Sequence, residues 1–334
     1  MFRMKRWLIL VIAICSMSCA NSATSIPIPK PTRTTLPTIP APTETASPTT
    51  ASPNHPITQS PTQPPTETPH DSPVLVGAGD IAVCNARGDE ATAGILDGID
   101  GTIFTLGDNV YPNGTLEQFQ KCYEPSWGRH KARTYPVPGN HDYNTGGARG
   151  YYAYFGERAG DPSRGYYAYA LGAWQVLVLN SEIETGENSA QVMWLRDVLG
   201  QNPTRCAIAL FHRPLFSSGP HGRDGSGEKM RAVWNVLYEN NVDVILNGHD
   251  HDYERFAPQN PQGERDDARG IRQFVVGTGG ASPYTFGEPK PNSEKRITGP
   301  FGVLKLTLHA TGYNWEFVSI APLLFKDSGS GECH

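Results

Sequence analysis

Val242-Asp243-Val244-Ile245-Leu246-Asn247-Gly248-His249-Asp250-His251 is the stretch on which the reading of this 334-residue chain turns. Its apolar, β-branched run predicts a buried strand, and the run stops at a glycine followed by two histidines one residue apart. In open α/β sheets ligands gather beyond the carboxyl ends of the strands. A strand that ends in histidines therefore predicts others ending in side chains of similar chemistry.

Four further stretches meet that expectation. Val74-Leu75-Val76-Gly77-Ala78-Gly79 predicts a strand that delivers Asp80, and Thr102-Ile103-Phe104-Thr105-Leu106 predicts one that delivers Gly107-Asp108-Asn109-Val110-Tyr111. Thr134-Tyr135-Pro136-Val137-Pro138 leads to Gly139-Asn140-His141-Asp142, and Arg205-Cys206-Ala207-Ile208-Ala209-Leu210-Phe211 ends at His212-Arg213-Pro214. Helices are expected over residues 90–96, 190–199 and 227–239, the last with Met230, Val233, Trp234 and Leu237 on one face. Residues 166–171 and 174–179 read as an antiparallel pair turning at Gly172. Strands are also expected over 273–276, 303–308 and 315–320, around the glycine-rich turn Gly277-Thr278-Gly279-Gly280. This order of elements, which shows no internal repeat, predicts an α/β fold: a four-layer α-β-β-α sandwich of two mixed sheets flanked by helices.

Composition divides the chain before that domain. Arg3, Lys5 and Arg6 precede the apolar run Trp7 to Ile14, a basic segment and a hydrophobic core too short for a permanent span, so export is expected. Ser16-Met17-Ser18-Cys19 resembles a bacterial lipoprotein signal with Cys19 lipidated, although Ser16 stands where an aliphatic residue is usual. Ser18-Cys19-Ala20 also reads as a small-residue cleavage site that would release a secreted protein. The expected organisation is a signal peptide over 1–19, a disordered Pro/Thr/Ser-rich stalk over 20–72 with too little apolar surface to order it, and a catalytic domain over 73–334.

Six cysteines occur, two of them, Cys15 and Cys19, in the signal. The even remainder, Cys84, Cys122, Cys206 and Cys333, predicts two disulfides in an exported chain. Cys84 with Cys122 is the expected pair, because both follow strand-end loops near the site; free thiols are the alternative, and no CxxC spacing suggests a metal knot. A formal charge of -5 and the lack of a basic run after the signal give no reason to expect nucleic acid as a partner.

Asp80, Asp108, Asn140, His212, His249 and His251 are oxygen and nitrogen donors at five predicted strand ends. Carboxylates and imidazoles suit first-row transition ions, and a carboxylate can bridge two of them. Two ions about 3.5–4 Å apart clamp a phosphate and generate hydroxide at ordinary pH. Taken singly, each residue has a bland explanation as a turn, a loop or a satisfied side chain. Together at strand ends they make the donor set of a dimetal centre.

With those motifs the chain resembles the calcineurin-like metallophosphoesterases and, within them, the purple acid phosphatases of the short, tartrate-resistant acid phosphatase-like kind. The resemblance runs over about residues 74–284 and is carried by Gly79-Asp80, Gly107-Asp108-Asn109-Val110-Tyr111, Gly139-Asn140-His141-Asp142, Phe211-His212-Arg213-Pro214 and Gly248-His249-Asp250-His251. Many relatives have a histidine where this chain has Ala82; in purple acid phosphatases a tyrosine at the place of Tyr111 replaces that ligand. The resemblance implies one ion held by Asp80, Asp108, Tyr111 and His251, and a second held by Asp108, Asn140, His212 and His249, with Asp108 bridging. It implies Fe(III) at the Tyr111 site, coloured by phenolate charge transfer, and Fe(II), Zn(II) or Mn(II) at the other. The Pro/Thr/Ser-rich stretch stands where plant relatives carry a fibronectin-like domain.

The implied reaction is hydrolysis of a small organic phosphate ester by hydroxide generated at the metals. His141 is the expected proton donor and stabiliser of phosphoryl charge, with Asp142 orienting it, and His221 is the expected second substrate histidine. Arg213 pairs either with phosphate or with a carboxylate in its own loop. Tyr151-Tyr152-Ala153-Tyr154-Phe155 and Tyr166-Tyr167 either line the cleft or pack beneath it, with packing the preferred reading. Two alternatives stand beside the phosphomonoesterase: a phosphodiesterase or nucleotidase on the same centre, and a surface-displayed binding module without turnover. The membrane enters only through a lipid anchor, and no feature specifies an oligomeric state.

Overall fold

The computed structural model describes residues 72–201 and 206–334. The signal, Cys19 and the stalk lie outside the described residues, apart from Ser72. In chain order the first elements are β1 (Val74–Ala78), β2 (Ala82–Val83), α1 (Gly88–Asp97), β3 (Thr102–Thr105) and β4 (Val110–Tyr111). The short α2 (Leu116–Gln118) is fixed by a reciprocal cap, in which the Gln118 N–H donates to the Thr115 hydroxyl and the Thr115 N–H to the Gln118 side chain. A π-helical turn and a 3₁₀ segment then lead to β5 (Thr134–Tyr135). Next come α3 (Asn140–Tyr143), α4 (Arg149–Phe155), β6 (Tyr167–Leu171), β7 (Trp174–Val178), α5 (Ala190–Gln201), β8 (Cys206–Leu210), α6 (Arg231–Glu239) and β9 (Val244–Asn247). β10 (Tyr253–Phe256), β11 (Arg272–Val276), β12 (Ser293–Ile297), β13 (Gly302–His309), β14 (Gly312–Ser319) and β15 (Ser328–Glu332) follow.

Two mixed sheets result, as expected. One has the order β15-β14-β13-β1-β3-β5, the other β12-β10-β11-β9-β8-β7-β6. β1, β3 and β5 run parallel in the first, and β7, β8, β9 and β11 run parallel in the second, so their carboxyl ends are gathered at one end of each sheet. Between the sheets the aromatic pairs Trp174–Tyr313, Phe274–Trp315 and Tyr253–Phe317 interlock. The outer face of the second sheet buries Leu177, Leu179 and Ile245 against Val192 and Leu195 of α5 and Val233, Trp234 and Leu237 of α6. The residues 151–155 predicted to pack do so: Tyr151, Tyr154 and Phe155 are buried in an aromatic cluster with Phe119 and Tyr123.

Both disulfides form, Cys84–Cys122 as expected and Cys206–Cys333, the latter fastening the start of β8 to the residue after β15. Among the described residues no helix is long and apolar enough to cross a membrane.

Candidate metal centre

Three of the residues singled out in the sequence sit in strained backbone. Asp80 (φ 59°), Asp108 (φ 48°) and His249 (φ 73°) are three of the seven non-glycine residues with left-handed φ among those described. That conformation costs about 1–3 kcal/mol each and persists only where the surroundings over-determine it. Here the surroundings are the strand ends themselves. Asp80 Oδ2 accepts the backbone N–H of His249 at 2.8 Å, and Asp108 Oδ1 accepts that of His141 at 2.8 Å. The flanking glycines are required by space: a Cβ on Gly248 would lie 2.6 Å from Asp80 Oδ2, and one on Gly107 (φ 85°) 2.5 Å from the His212 ring.

Two groups of donors converge. In the first, the Tyr111 hydroxyl lies 2.9 Å from Asp80 Oδ1, 3.2 Å from Asp108 Oδ2 and 3.1 Å from His251 Nε2. In the second, His212 Nε2 lies 3.1 Å from Asn140 Oδ1, 3.1 Å from His249 Nδ1 and 3.4 Å from Asp108 Oδ2. Asp108 Oδ2 is common to both. Asp80, Asp108, His212, His249 and His251 are all buried. The far nitrogens of two imidazoles are occupied: His212 Nδ1 is 2.7 Å from the Leu106 carbonyl and His251 Nδ1 is 2.8 Å from the Ser282 carbonyl. Those ring N–H groups donate outward and leave each Nε2 facing the cluster, the arrangement that orients metal-binding histidines.

Electrostatics agree with a site shaped for cations. Burial would raise the Asp108 carboxyl, but the His212 imidazole beside it, helped by His141, outweighs that and holds it at about 2. The same pairing lifts His212 to about 10 against its own burial. Burial and then the charges of Asp80 and Asp108 drive the Tyr111 phenol up, while burial and neighbouring His212, His221 and Arg213 drive His249 down. Asp108, His212 and His249 present ligand atoms within 4.8 Å of one another, close enough for one cation. A carboxylate- and phenol-rich half beside an imidazole- and amide-rich half fits first-row ions of unequal hardness.

The remaining candidates fall around this cluster. His141 stands partly exposed, its Nδ1 2.7 Å from the Pro112 carbonyl, its ring 4.5 Å from that of Tyr111 and its Nε2 3.8 Å from Asp108 Oδ2. Asp142 does not reach the His141 ring. Its buried Oδ2 accepts from the Gly139 N–H at 2.9 Å and the Asn109 side chain at 2.9 Å, so it caps α3 and locks Asn109; the Pro112 carbonyl orients His141 instead. His221 stacks on His249 at 3.9 Å, with Nδ1 2.7 Å from Asp224. The Arg213 guanidinium grips Glu182 through Nε at 2.8 Å and Nη2 at 3.0 Å, and its Nη1 lies 3.1 Å from His249 Nε2.

Three residues at the site were not singled out in the sequence. Glu182 follows β7 with no motif to mark it. Asp250, between the two histidines, accepts the His221 N–H at 3.0 Å and so ties the loop carrying His221 to the strand end. The Tyr284 ring lies flat on His251 at 3.9 Å. The spacing of Asp250 was the available signal, since a buried acid between two candidate ligands needs a partner.

A model of the calcineurin-like phosphoesterase family matches residues 79–253. Purple acid phosphatase 21 of Arabidopsis thaliana is 32% identical over 119 residues, 34% of this chain and 26% of that protein. Probable purple acid phosphatase 20 of the same plant is 25% identical over 224 residues, 64% of this chain and 50% of that protein. Probable inactive purple acid phosphatase 9, also from that plant, is 30% identical over 136 residues, covering 39% of this chain and 21% of its own length. The chain thus spans half or less of the length of these relatives. The solved purple acid phosphatase PPD1 from yellow lupin (Lupinus luteus) seeds shares the fold, with TM-score 0.61 and 21% identity over 78% of this chain and 53% of that one.

Proposed function

Since the chain belongs to the calcineurin-like phosphoesterase family, with purple acid phosphatases among its homologues, we propose that it is an exported dimetal phosphomonoesterase of acid phosphatase type. The observation that carries this reading is the position of Asp108, whose Oδ2 stands 3.2 Å from the Tyr111 phenol and 3.4 Å from His212 Nε2, so that one buried carboxylate serves both groups of donors.

In this reading Asp80, Asp108, Tyr111 and His251 hold a ferric ion, and Asp108, Asn140, His212 and His249 hold Fe(II), Zn(II) or Mn(II). When bound, the ions supply Lewis acidity toward the phosphate and a hydroxide nucleophile. The chain's own groups do the rest. The Leu106 and Ser282 carbonyls fix the rings of His212 and His251. His141 and His221 have Nδ1 engaged by Pro112 and Asp224, which makes Nε2 the atom through which each meets a phosphoryl oxygen or passes a proton to the departing alcohol. Arg213 serves the loop through Glu182 and leaves phosphate to the histidines.

Export, with the signal over 1–19, the stalk over 20–72 and the catalytic domain over 73–334, belongs to the same proposal, and the two disulfides suit an oxidising compartment. The mass of the mature amino terminus separates a diacylglyceryl group on Cys19 from a secreted chain cleaved at Ala20. The activity is tested with the mature chain, loaded with iron and zinc, on a chromogenic phosphomonoester and the matching diester from acid to alkaline pH, with Asp108→Asn as control. Monoester turnover lost in the control supports the proposal. Dominant diester turnover moves the chain to the phosphodiesterases, and no turnover by the loaded protein favours a binding module.

A further inference from the structure

The two sheets present four edge strands, β15, β5, β12 and β6. Exposed edges invite pairing with another chain, and proteins blunt them with charge, proline, bulges or shortness. β12 carries Glu294, Lys295 and Arg296, β5 is two residues long, and β15 (Ser-Gly-Ser-Gly-Glu) has no apolar side chain. β6, Tyr167-Ala168-Tyr169-Ala170-Leu171, has no charge or proline within the strand, and its register with β7 runs without a bulge.

The hairpin geometry decides which backbone groups it offers. β6 and β7 join through the two residues Gly172 and Ala173, with Gly172 at φ 60° as the first position of a type II′ turn. Leu171 and Trp174 are then a hydrogen-bonded pair, and the alternation along the ladder gives Tyr169 with Val176 and Tyr167 with Val178 as the next two. Ala168 and Ala170 therefore turn their N–H and C=O groups away from β7, toward the open side.

A trough of about 510 Å³ lies along that side, lined by Ala168, Ala170, Gln175 and Trp194, with Asp161 and Arg164 also on its wall. Met193, beside Trp194 on α5, is 52% exposed.

We propose that β6 is a dimerisation strand, pairing antiparallel with β6 of a second copy about a two-fold axis at Tyr169. The strand is large-small-large-small-large, so this register sets Tyr169 against itself, Ala168 against Ala170 of the second copy, and Tyr167 against Leu171 of the second copy. Ala168 and Ala170 are the residues with outward backbone groups, and in this register each meets the other's, so every free N–H and C=O of the pair finds a partner. The strand itself carries no charged residue to be set against its like. The two seven-stranded sheets become one continuous sheet, with Trp194 of each copy beside the seam.

The test is sedimentation equilibrium of the mature chain over about 1–100 µM, with amide hydrogen exchange on the same samples. A mass that doubles with concentration, together with protection at Ala168 and Ala170 that rises in step, is the expected result. Ala170→Lys, on an exposed residue, and Ala170→Pro should each raise the dimer dissociation constant at least about tenfold. Ser330→Pro on the β15 edge should leave it unchanged. A monomer at every concentration overturns the proposal, as does a dimer that survives both Ala170 variants or is lost only with Ser330→Pro. Protection at Ala168 and Ala170 that does not vary with concentration also overturns it, because the edge is then covered within one chain.

Discussion

The phenol oxygen of Tyr111 stands 3.2 Å from Oδ2 of Asp108, the same oxygen that faces His212 on its other side. A tyrosine brought this close to two buried carboxylates keeps its proton unless a cation takes its place, which is why burial and then Asp80 and Asp108 raise it. Loading with iron should replace that proton and give the protein a visible absorption band. Tyr111→Phe should lose the band while retaining at least one iron per chain by elemental analysis, because Asp80, Asp108 and His251 remain. A wild-type iron protein with no such band would remove Tyr111 from the ligand set.

Metal uptake should depend on pH through His212. Its imidazole is raised to about 10 by Asp108 despite burial, so in the metal-free protein it is protonated at neutral pH. A metal needs the Nε2 lone pair, so binding must release that proton. Affinity should therefore weaken as pH falls below about 10, by up to about tenfold per pH unit from this group alone. Calorimetry in buffers of different ionisation enthalpy should find about one proton released on filling the His212 site at pH 7.5. Uptake that releases none there would mean that His212 is neutral in the metal-free state.

The candidate site was legible in the sequence because each donor directly follows, or sits one loop beyond, a strand end, punctuated by glycine everywhere except at His212. What the sequence hid were strands whose side chains do not alternate. β10 interleaves buried Glu254, bonded to Ser218 and Ser293, with Arg255, which pairs with Asp327 and lies over Trp315. Its polar residues are satisfied by tertiary partners that no local pattern displays. β12 and β15 are edges, where burial imposes no period, and the π-helical turn after α2 breaks the 3.6-residue repeat. The expected role of Asp142 failed for a related reason: adjacency in sequence to His141 says nothing of direction, and in the first turn of a helix its carboxylate turns back to the Gly139 N–H.

That placement makes Asp142 a structural acid. Burial first, and the charge of Asp108 second, push it up to about 7 against three hydrogen bonds from Gly139 and Asn109. A carboxyl raised in the folded state stabilises the fold most below its unfolded value, and that contribution is lost as pH rises from about 4 through about 7. Asp142→Asn preserves the accepting oxygen and sets its NH₂ where Oδ1 has no partner. In chelator-treated protein the variant should fold and should lack about 2–4 kcal/mol of the wild-type decline in stability across that interval. An unchanged profile by denaturant titration would show that Asp142 titrates normally.

Arg213 and Glu182 give the sharpest separation of structure from substrate binding. Their side chains are 18% and 8% exposed, and removing one partner leaves the other charge buried and unpaired. Arg213→Ala should cost about 3 kcal/mol in unfolding free energy, and combining it with Glu182→Gln should recover part of that loss, since the stranded carboxylate is gone. If the guanidinium belongs to Glu182, KM for a phosphomonoester should move less than about threefold in the folded fraction of the single variant. Were Arg213 a phosphate ligand, KM and inhibition by inorganic phosphate should weaken together by about tenfold or more, and Glu182→Gln should not restore them. Stability and KM thus respond to different partners of one side chain, and measuring both in the same pair of variants decides which partner it serves.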